Sequence, residues 1–428
     1  MASYGVRDVR FGSPTRYDDG VLWVDRDELR RLLLRSGDFA DVAIEVARPG
    51  EAVRLIHVVD AAEPRYKPDG PTDFPGFVGP QRTVGEGRTN RLAGLAVVSV
   101  GDAVAGEPTY WREALIDMSG PGADATVFGG TLNLVLAFAP TAKFLDASQP
   151  EASIGHTQIG SLVSQRYNRS IRQAQLEAAV YLARTTAGRR PDSTRTYELT
   201  PVDPALPRVV YLFQVNGVSI YADDTMLPVP TVMHPNEILD GALINFQANI
   251  HAAYRYITYF NQNHAVIDEL YARHGVDLNF VAAILYPRGA MQVEKKDMLA
   301  EYVVKLMRML GAQGACSSYT GGGHSAVDFM MICERCERLG IKTVQLMPES
   351  YGTPDEPGFV YYVPEAVAIA SMGRATQEIG LPAPARVIGG DAFFDLPDAP
   401  GADLSVPYRY VFGSCPSTGN GYLVAREY

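Results

Sequence analysis

The sequence predicts an α/β protein with a β-rich, mixed N-terminal domain over residues 1–230 and a C-terminal, doubly wound, mostly parallel α/β domain over residues 231–428. Three observations predict it. From Leu278 to Glu349, apolar runs of strand length alternate with helical patterns of about four turns, the order of a parallel βαβαβ unit. Before that region, short apolar runs are separated by glycine and proline turns, as in a sheet of shorter strands. Between the two lies LPVPTVMHPNEILD, Leu227 to Asp240, whose prolines interrupt both patterns.

Taken in order, Val21 to Val24 reads as a strand, Asp25 as an N-cap and Arg26 to Arg35 as a helix with clustered leucines. Ala43 to Ala47 and Val53 to Ala61 read as a hairpin across Arg48-Pro49-Gly50-Glu51. The stretch from Glu63 to Gly87 is crowded with proline and glycine and reads as an ordered surface loop. Leu92 to Val100 and Trp111 to Met118 are apolar strands, the second ending in the turn Ser119-Gly120-Pro121-Gly122, and Thr131 to Phe138 continues the sheet. Ile159 to Thr185 is the first long helix, with Leu162, Tyr167, Ile171, Leu176 and Leu182 on its apolar face. Val209 to Val215 and Val218 to Ala222 read as a hairpin turning at Asn216-Gly217. Ile244 to Arg273 is helical in part, with tyrosines at a spacing more typical of core than of a binding box.

In the C-terminal unit the strands are Phe280 to Tyr286, Ala315 to Tyr319 and Thr343 to Met347, with helices in EKKDMLAEYVVKLMRMLG and AVDFMMICERCERLG. Open parallel sheets meet ligands beyond the carboxyl ends of their strands. The informative residues are therefore Pro287-Arg288-Gly289, the loop Thr320-Gly321-Gly322-Gly323-His324-Ser325, and Pro348-Glu349-Ser350-Tyr351. The three glycines allow positive φ and close approach to N–H groups, which suits a carboxylate or phosphate. Neither GxGxxG nor a P-loop is present, and a tight turn with His324 or Ser325 as N-cap is the plainer reading. Phe359 to Val363 and Ala385 to Ile388 read as further strands, and Pro364 to Glu378 as strand or helix.

With 46% apolar and 20% charged residues the 428-residue chain is globular, and a net charge of -11 argues against nucleic acid or an anionic membrane as its main partner. No apolar run reaches membrane-spanning length and MASYGVRDVRFG lacks the core of a signal peptide, so a cytoplasmic protein is expected. The four cysteines (Cys316, Cys333, Cys336, Cys415) suggest no disulfide scaffold. Cys333 and Cys336 form a CxxC late in a helix, where the dipole does not favour a thiolate and a packed pair is expected, while Cys415 has the least obvious place in a core. The seven histidines include no HExxH, but a mononuclear divalent metal site drawing on His234, His251 or His324 is compatible with them. His234-Pro235-Asn236-Glu237 sets a histidine beside a carboxylate, or simply opens a helix.

Six segments, RLIHVVDAAEPR (Arg54 to Arg65), GEGRTNRLAGLAVV (Gly85 to Val98), IDMSGPG (Ile116 to Gly122), AAVYLA (Ala178 to Ala183), TVMHPNEILDG (Thr231 to Gly241) and VIDELYARHG (Val266 to Gly275), resemble the component B α/β-subunit proprotein of glycine, sarcosine and betaine reductases. The D-proline reductase proprotein is a more distant likeness. The resemblance spans nearly the whole chain. It implies a subunit that holds an amino acid or small amine derivative for reductive C–N cleavage with a partner subunit bearing a thiol or selenol. It also implies internal cleavage at a cysteine shortly after HPNE, that cysteine becoming a pyruvoyl-type carbonyl. Here the matching stretch, Gln247-Ala248-Asn249-Ile250-His251-Ala252-Ala253, contains no cysteine, and the next downstream is Cys316. The expectation is an uncleaved chain without pyruvoyl. On this resemblance His234, Glu237, Asn249 and His251 would lie near the lost carbonyl as acid, base or metal ligands, and Thr320 to Ser325 would hold a substrate anion. The alternatives are a non-catalytic assembly or binding subunit, or a metal-dependent enzyme on the same scaffold.

Overall fold

The structure, a computed structural model, describes residues 1–102, 113–145, 162–223, 229–246, 251–288, 291–319, 323–349, 361–421 and 424–425. Its α/β character follows the expectation. In the N-terminal half, strands β1 (Phe39–Ala47), β2 (Val58–Ala62), β3 (Leu95–Gly101) and β4 (Leu132–Pro140) form a sheet in the order β1-β4-β3-β2, with β3 and β4 parallel and the other pairs antiparallel. Helix α1 (Leu162–Ala183) lies across β3 and β2 and buries Tyr167, Ile171, Leu176 and Leu182. Its buried Gln175 donates to the Val97 carbonyl (2.8 Å).

The hairpin expected across Arg48 to Glu51 does not form. β1 pairs with β4, Val53–Leu55 pairs with Ile116–Asp117 and Arg386–Ile388, and β2 pairs with β3. Val53–Leu55 and β2 are buried on both faces, which a two-stranded surface hairpin cannot provide. The expected Leu92 to Val100 strand is broken at Gly94 (φ 86°), where a Cβ would meet the Val6 carbonyl. Of Trp111 to Met118 only Ile116–Asp117 is strand among the described residues, and Ser119 to Gly122 opens a short helix, Gly120–Asp124. Residues 361–363 are not a strand, and Pro364 to Glu378 resolves into strand Ile369–Arg374.

The second sheet holds β5 (Arg208–Val215), β6 (Thr231–Met233), β7 (Asn279–Pro287), β8 (Gly314–Ser318), β9 (Lys342–Glu349), β10 (Ile369–Arg374) and β11 (Val424–Ala425), in the order β6-β7-β5-β8-β9-β10-β11. β7 through β10 are parallel and the edge strands β6 and β11 antiparallel. Helices α2 (Val293–Met309) and α3 (His324–Arg338) cover one face, packing Leu299, Val303, Met307, Ile332 and Cys336 on Leu212 and Ile284. The other face carries Tyr211, Phe213 and Leu285 against Ile238, Ile267 and Leu270. β5 is therefore a central strand rather than half of a hairpin at Asn216-Gly217, and Val218–Ile220 pairs instead with Leu243–Asn245. A strand buried on both faces reads as one continuous apolar run, and β5 does. Sheet membership crosses residue 231 in both directions, since β5 precedes it and Arg386–Ile388 returns to pair with Val53–Leu55.

The two halves meet along a buried polar seam. Arg54 donates through Nε and Nη2 to Asp117 (2.7 and 2.9 Å) and to the carbonyls of Pro400, Ala402 and Pro382. Arg65 donates to Glu63 (2.6 Å), to the carbonyls of Leu239 (2.6 Å) and Gln262 (2.9 Å), and to Asn263 Oδ1 (3.0 Å). Lys67 pairs with Asp240, whose other oxygen accepts from Thr89 (2.7 Å). Among the described residues, no helix is long and apolar enough to cross a membrane.

Candidate functional site

The five parallel strands, numbered in chain order, lie in the spatial order 2-1-3-4-5, so the chain reverses its winding between β5 and β8. At such a reversal the connections leave in opposite directions and open a crevice beyond the carboxyl ends of the two strands. The carboxyl end of β5 supplies Gln214. It is fully buried, its Nε2 donates to the Ser325 carbonyl (3.3 Å), and its Oε1 has no hydrogen-bond partner among the described residues. Its own carbonyl accepts from the Tyr256 hydroxyl, and the hydroxyls of Tyr211 and Ser318 pair beside it. A buried unpaired amide oxygen costs roughly 1–3 kcal/mol.

Helix α3 begins across this crevice. Its N-cap is Gly323 (φ 62°, ψ -121°), not His324 or Ser325, because that conformation is open to glycine and costly to a side chain. Among the described residues no side chain caps this end, and His324 and Ser325 form its first turn. Beneath it, Lys296 of α2 donates to Asp328 (2.7 Å) and to the His324 carbonyl (3.1 Å), with both charged side chains almost fully buried. Arg288 follows β7 on the same edge. Burial lowers the pKa of its guanidinium and Asp328 acts against that. At the end of β9, Glu349 accepts from Arg374 Nε and Nη2 (3.1 and 2.8 Å) and from Ser371 (2.6 Å).

The segment from His251 onward drapes over this edge. Ala253 accepts from the Cys415 amide (2.8 Å) and Ala252 from Gly413 (3.0 Å), while Ala253 and Tyr254 pack on Ala375 and Cys415. Asp60 pins both ends of the excursion. It accepts from Thr258 N (3.1 Å), Thr258 Oγ1 (2.5 Å) and Asn245 Nδ2 (3.3 Å). Burial raises the Asp60 pKa, opposed by Arg172 and by those donors.

The expected site residues divide between two places. His251, with its ring beside Tyr254 (5.8 Å between centroids), and His324 and Ser325 lie at the carboxyl edge. His234 and Glu237 do not, because β6 runs antiparallel to β7 and delivers His234 toward the amino end of the parallel strands. There His234 is an exposed N-cap whose Nδ1 accepts from Asn236 N (3.2 Å), and Glu237 reaches back to His234 N (2.9 Å), closing a capping box. Both line a separate cleft of about 950 Å³, shared with Thr83 to Thr89 and Arg195 to Thr200. Asn249, Thr320, Gly321 and Gly322 lie outside the described residues. Gln214 and Lys296 were missed by sequence reasoning. The signal for Gln214 was its position as the one polar residue near the carboxyl end of an apolar parallel strand.

Cys333 Sγ lies against Thr343 Oγ1 (3.3 Å) and Cys336 Sγ against Met307 Sδ (3.5 Å), and burial pushes their thiols up to about 11 and about 12, in keeping with a packed pair. Cys415 is fully buried and not loosely placed, its thiol raised by burial to about 12. Among the described residues, no three His, Cys, Asp or Glu side chains are grouped as a metal site.

Fold and edge together define a doubly wound α/β protein whose winding reverses between β5 and β8. Residues 1–403 match the family described as glycine/sarcosine/betaine reductase component B subunits. The chain is 32% identical to the glycine reductase complex component B subunits alpha and beta of Peptoclostridium acidaminophilum over 446 aligned residues, covering 99% of this chain and 98% of that protein. It is 32% identical to the protein of the same description from Acetoanaerobium sticklandii, covering 90% and 87%, and equally to the sarcosine reductase complex component B subunit alpha of P. acidaminophilum, covering 90% and 87%. No solved structure matches. The chain belongs to the glycine/sarcosine/betaine reductase component B family.

Proposed function

We propose that this chain is the substrate-holding subunit of a component B-type reductase and that it works as one intact polypeptide without a pyruvoyl group. It presents a small amine or amino acid to a partner subunit whose thiol or selenol takes part in reductive C–N cleavage. The observation that carries the first part lies in residues 247–253. Internal cleavage to a terminal carbonyl starts from a side-chain nucleophile beside the scissile peptide. QANIHAA contains no cysteine, serine or threonine, so the residues present do not fit a pyruvoyl precursor.

Without a carbonyl to capture the amine, the substrate is held by hydrogen bonds and charge. The first turn of α3 offers free N–H groups to a carboxylate, with Arg288 adding positive charge on the same edge. The unpaired Oε1 of Gln214 accepts one N–H from the substrate's ammonium group. This arrangement selects primary or secondary amines over quaternary ones, which carry no N–H. His251 and His324 are the titratable groups at this edge suited to proton transfer, and His234 and Glu237 hold the neighbouring helix.

Intact mass by denaturing electrospray, before and after a carbonyl reagent, tests the proposal. One unmodified species at 46.6 kDa is expected. Two fragments joined at residues 247–253, the C-terminal one reactive with the reagent, would overturn it.

A further inference from the structure

Of the fourteen exposed large apolar side chains among the described residues, six (Met291, Val293, Met298, Tyr302, Met309 and Leu339) lie on α2, its lead-in and the end of α3. On α2 they are not scattered. At 3.6 residues per turn, Met298, Tyr302, Lys305 and Met309 fall within about 60° of one another. Their spacing of four, three and four residues is that of a coiled-coil seam. The stripe lies opposite Leu299, Val303 and Met307, which pack on the sheet, so α2 is amphipathic twice over. Met298 is 61% exposed, Tyr302 42% and Met309 74%. Such a concentration of apolar surface on one helix marks a contact surface rather than a solvated face.

The charges beside the stripe indicate what covers it. Along the flank nearer α3 the helix runs from acidic to basic: Glu294, Asp297 and Glu301 come first, then Lys305 and Arg308. Arg335 of α3 bridges Asp297 (2.8 Å) and Glu301 (3.4 Å), whereas Lys305 and Arg308 have no carboxylate partner among the described residues. A helix flank that is acidic in its first half and basic in its second complements itself when two copies run antiparallel.

We infer that the outer face of α2 is a twofold interface between two copies of this chain. In the antiparallel register that the seam dictates, Met298 packs on Met309 of the second copy, and Tyr302 meets Lys305 of the second copy face-on. Glu301 pairs with Arg308 of the second copy, and every contact occurs twice, as an isologous interface requires. The Lys305 ammonium already lies 5.8 Å from the Tyr302 ring of its own helix, so the ring-to-cation contact across the axis needs little rearrangement. The sheet's carboxyl edge and the cleft around His234 are left clear.

The charge pattern supplies its own test. Glu301→Arg alone places like charges opposite one another at both Glu301–Arg308 contacts, and so does Arg308→Glu alone. Mixing the two variants restores opposite charges at both contacts. Light scattering on the full chain should give twice 46.6 kDa for the wild type. Each single variant should raise the dimer dissociation constant about tenfold or more, and an equimolar mixture should recover the wild-type value. Tyr302→Glu, at an exposed position where folding is not at stake, should also yield monomer. A monomeric wild type over about a hundredfold concentration range would overturn the inference. So would a dimer indifferent to Tyr302→Glu, a mixture no tighter than its components, or protection of α2 from exchange only when a different subunit is added.

Discussion

Replacing Arg65 with alanine should be among the most damaging single changes in the molecule. Its guanidinium makes four hydrogen bonds at 2.6–3.0 Å, to Glu63, to the carbonyls of Leu239 and Gln262 and to Asn263, and its side chain is 4% exposed. Removing it leaves the Glu63 carboxylate buried with Arg91 at 3.8 Å as its remaining cation. Breaking a buried ion pair in this way costs about 3–5 kcal/mol, most of it the uncompensated charge left behind. Arg65→Lys keeps the charge but gathers its donors on one nitrogen, and should cost less than the alanine change. The control is Arg386→Ala, which removes the half-exposed pair with Glu45 and should cost at most about 1 kcal/mol. Urea unfolding followed by circular dichroism gives all three values on one footing. If Arg65→Ala lies within about 1 kcal/mol of Arg386→Ala, the seam does not hold the two halves together and the reasoning fails.

Two other changes report on the crevice and the core. Gln214→Met, similar in volume, should weaken binding of glycine or sarcosine about tenfold by calorimetry and leave betaine unaffected, because its amide oxygen has a role only toward an N–H; equal losses for all three probes would refute the assignment. His264 is fully buried against Tyr211 and Phe213 and caps the helix Ala265–Arg273 through its Nδ1, and burial lowers its pKa to about 3 from 6.5. Its stabilising contribution is complete above pH 6.5 and is lost as pH falls toward 3. From pH 6 to pH 5 the wild type should therefore lose about 1 kcal/mol more stability than His264→Asn, which keeps a capping oxygen without titrating in that range. Parallel slopes for the two proteins would refute it.

The parts of the fold legible in the sequence are those whose local pattern and tertiary environment agree. NFVAAILYP is apolar throughout because β7 is covered on both faces, and α2 shows the helical period because one side of it packs on the sheet. β5 is as apolar as β7, yet Asn216-Gly217 directly after it suggested a hairpin. The turn is real, but nothing local says that the flanking strands leave for different sheets. His234 and Glu237 present the same difficulty in chemistry. A capping box and an acid–base pair use the same residue types at the same spacing, and the choice is made by the direction of β6, which is fixed only when it pairs with β7. Gln214 left little trace because its meaning depends on the reversal of winding beside β8, two connections away in sequence.

Several charged and polar residues within the segments that resemble component B subunits serve the seam. Arg54 and Asp117, Glu63 and Arg65, Asp60, Thr89 and Asp240 belong to the segments shared with component B subunits, and each is spent on a buried contact between distant parts of the chain. These contacts fix how the first sheet sits against the second, and hence where residues 251–257 meet the carboxyl edge of β5 to β10. Asp60 holds Asn245 and Thr258, and between them the carbonyls of Ala252 and Ala253 accept from Gly413 and Cys415 while Arg255 donates to the Val58 carbonyl. Membership of the family therefore bears on the scaffold more directly than on the chemistry, and the chemistry has to be sought in residues 247–253 and the groups they face.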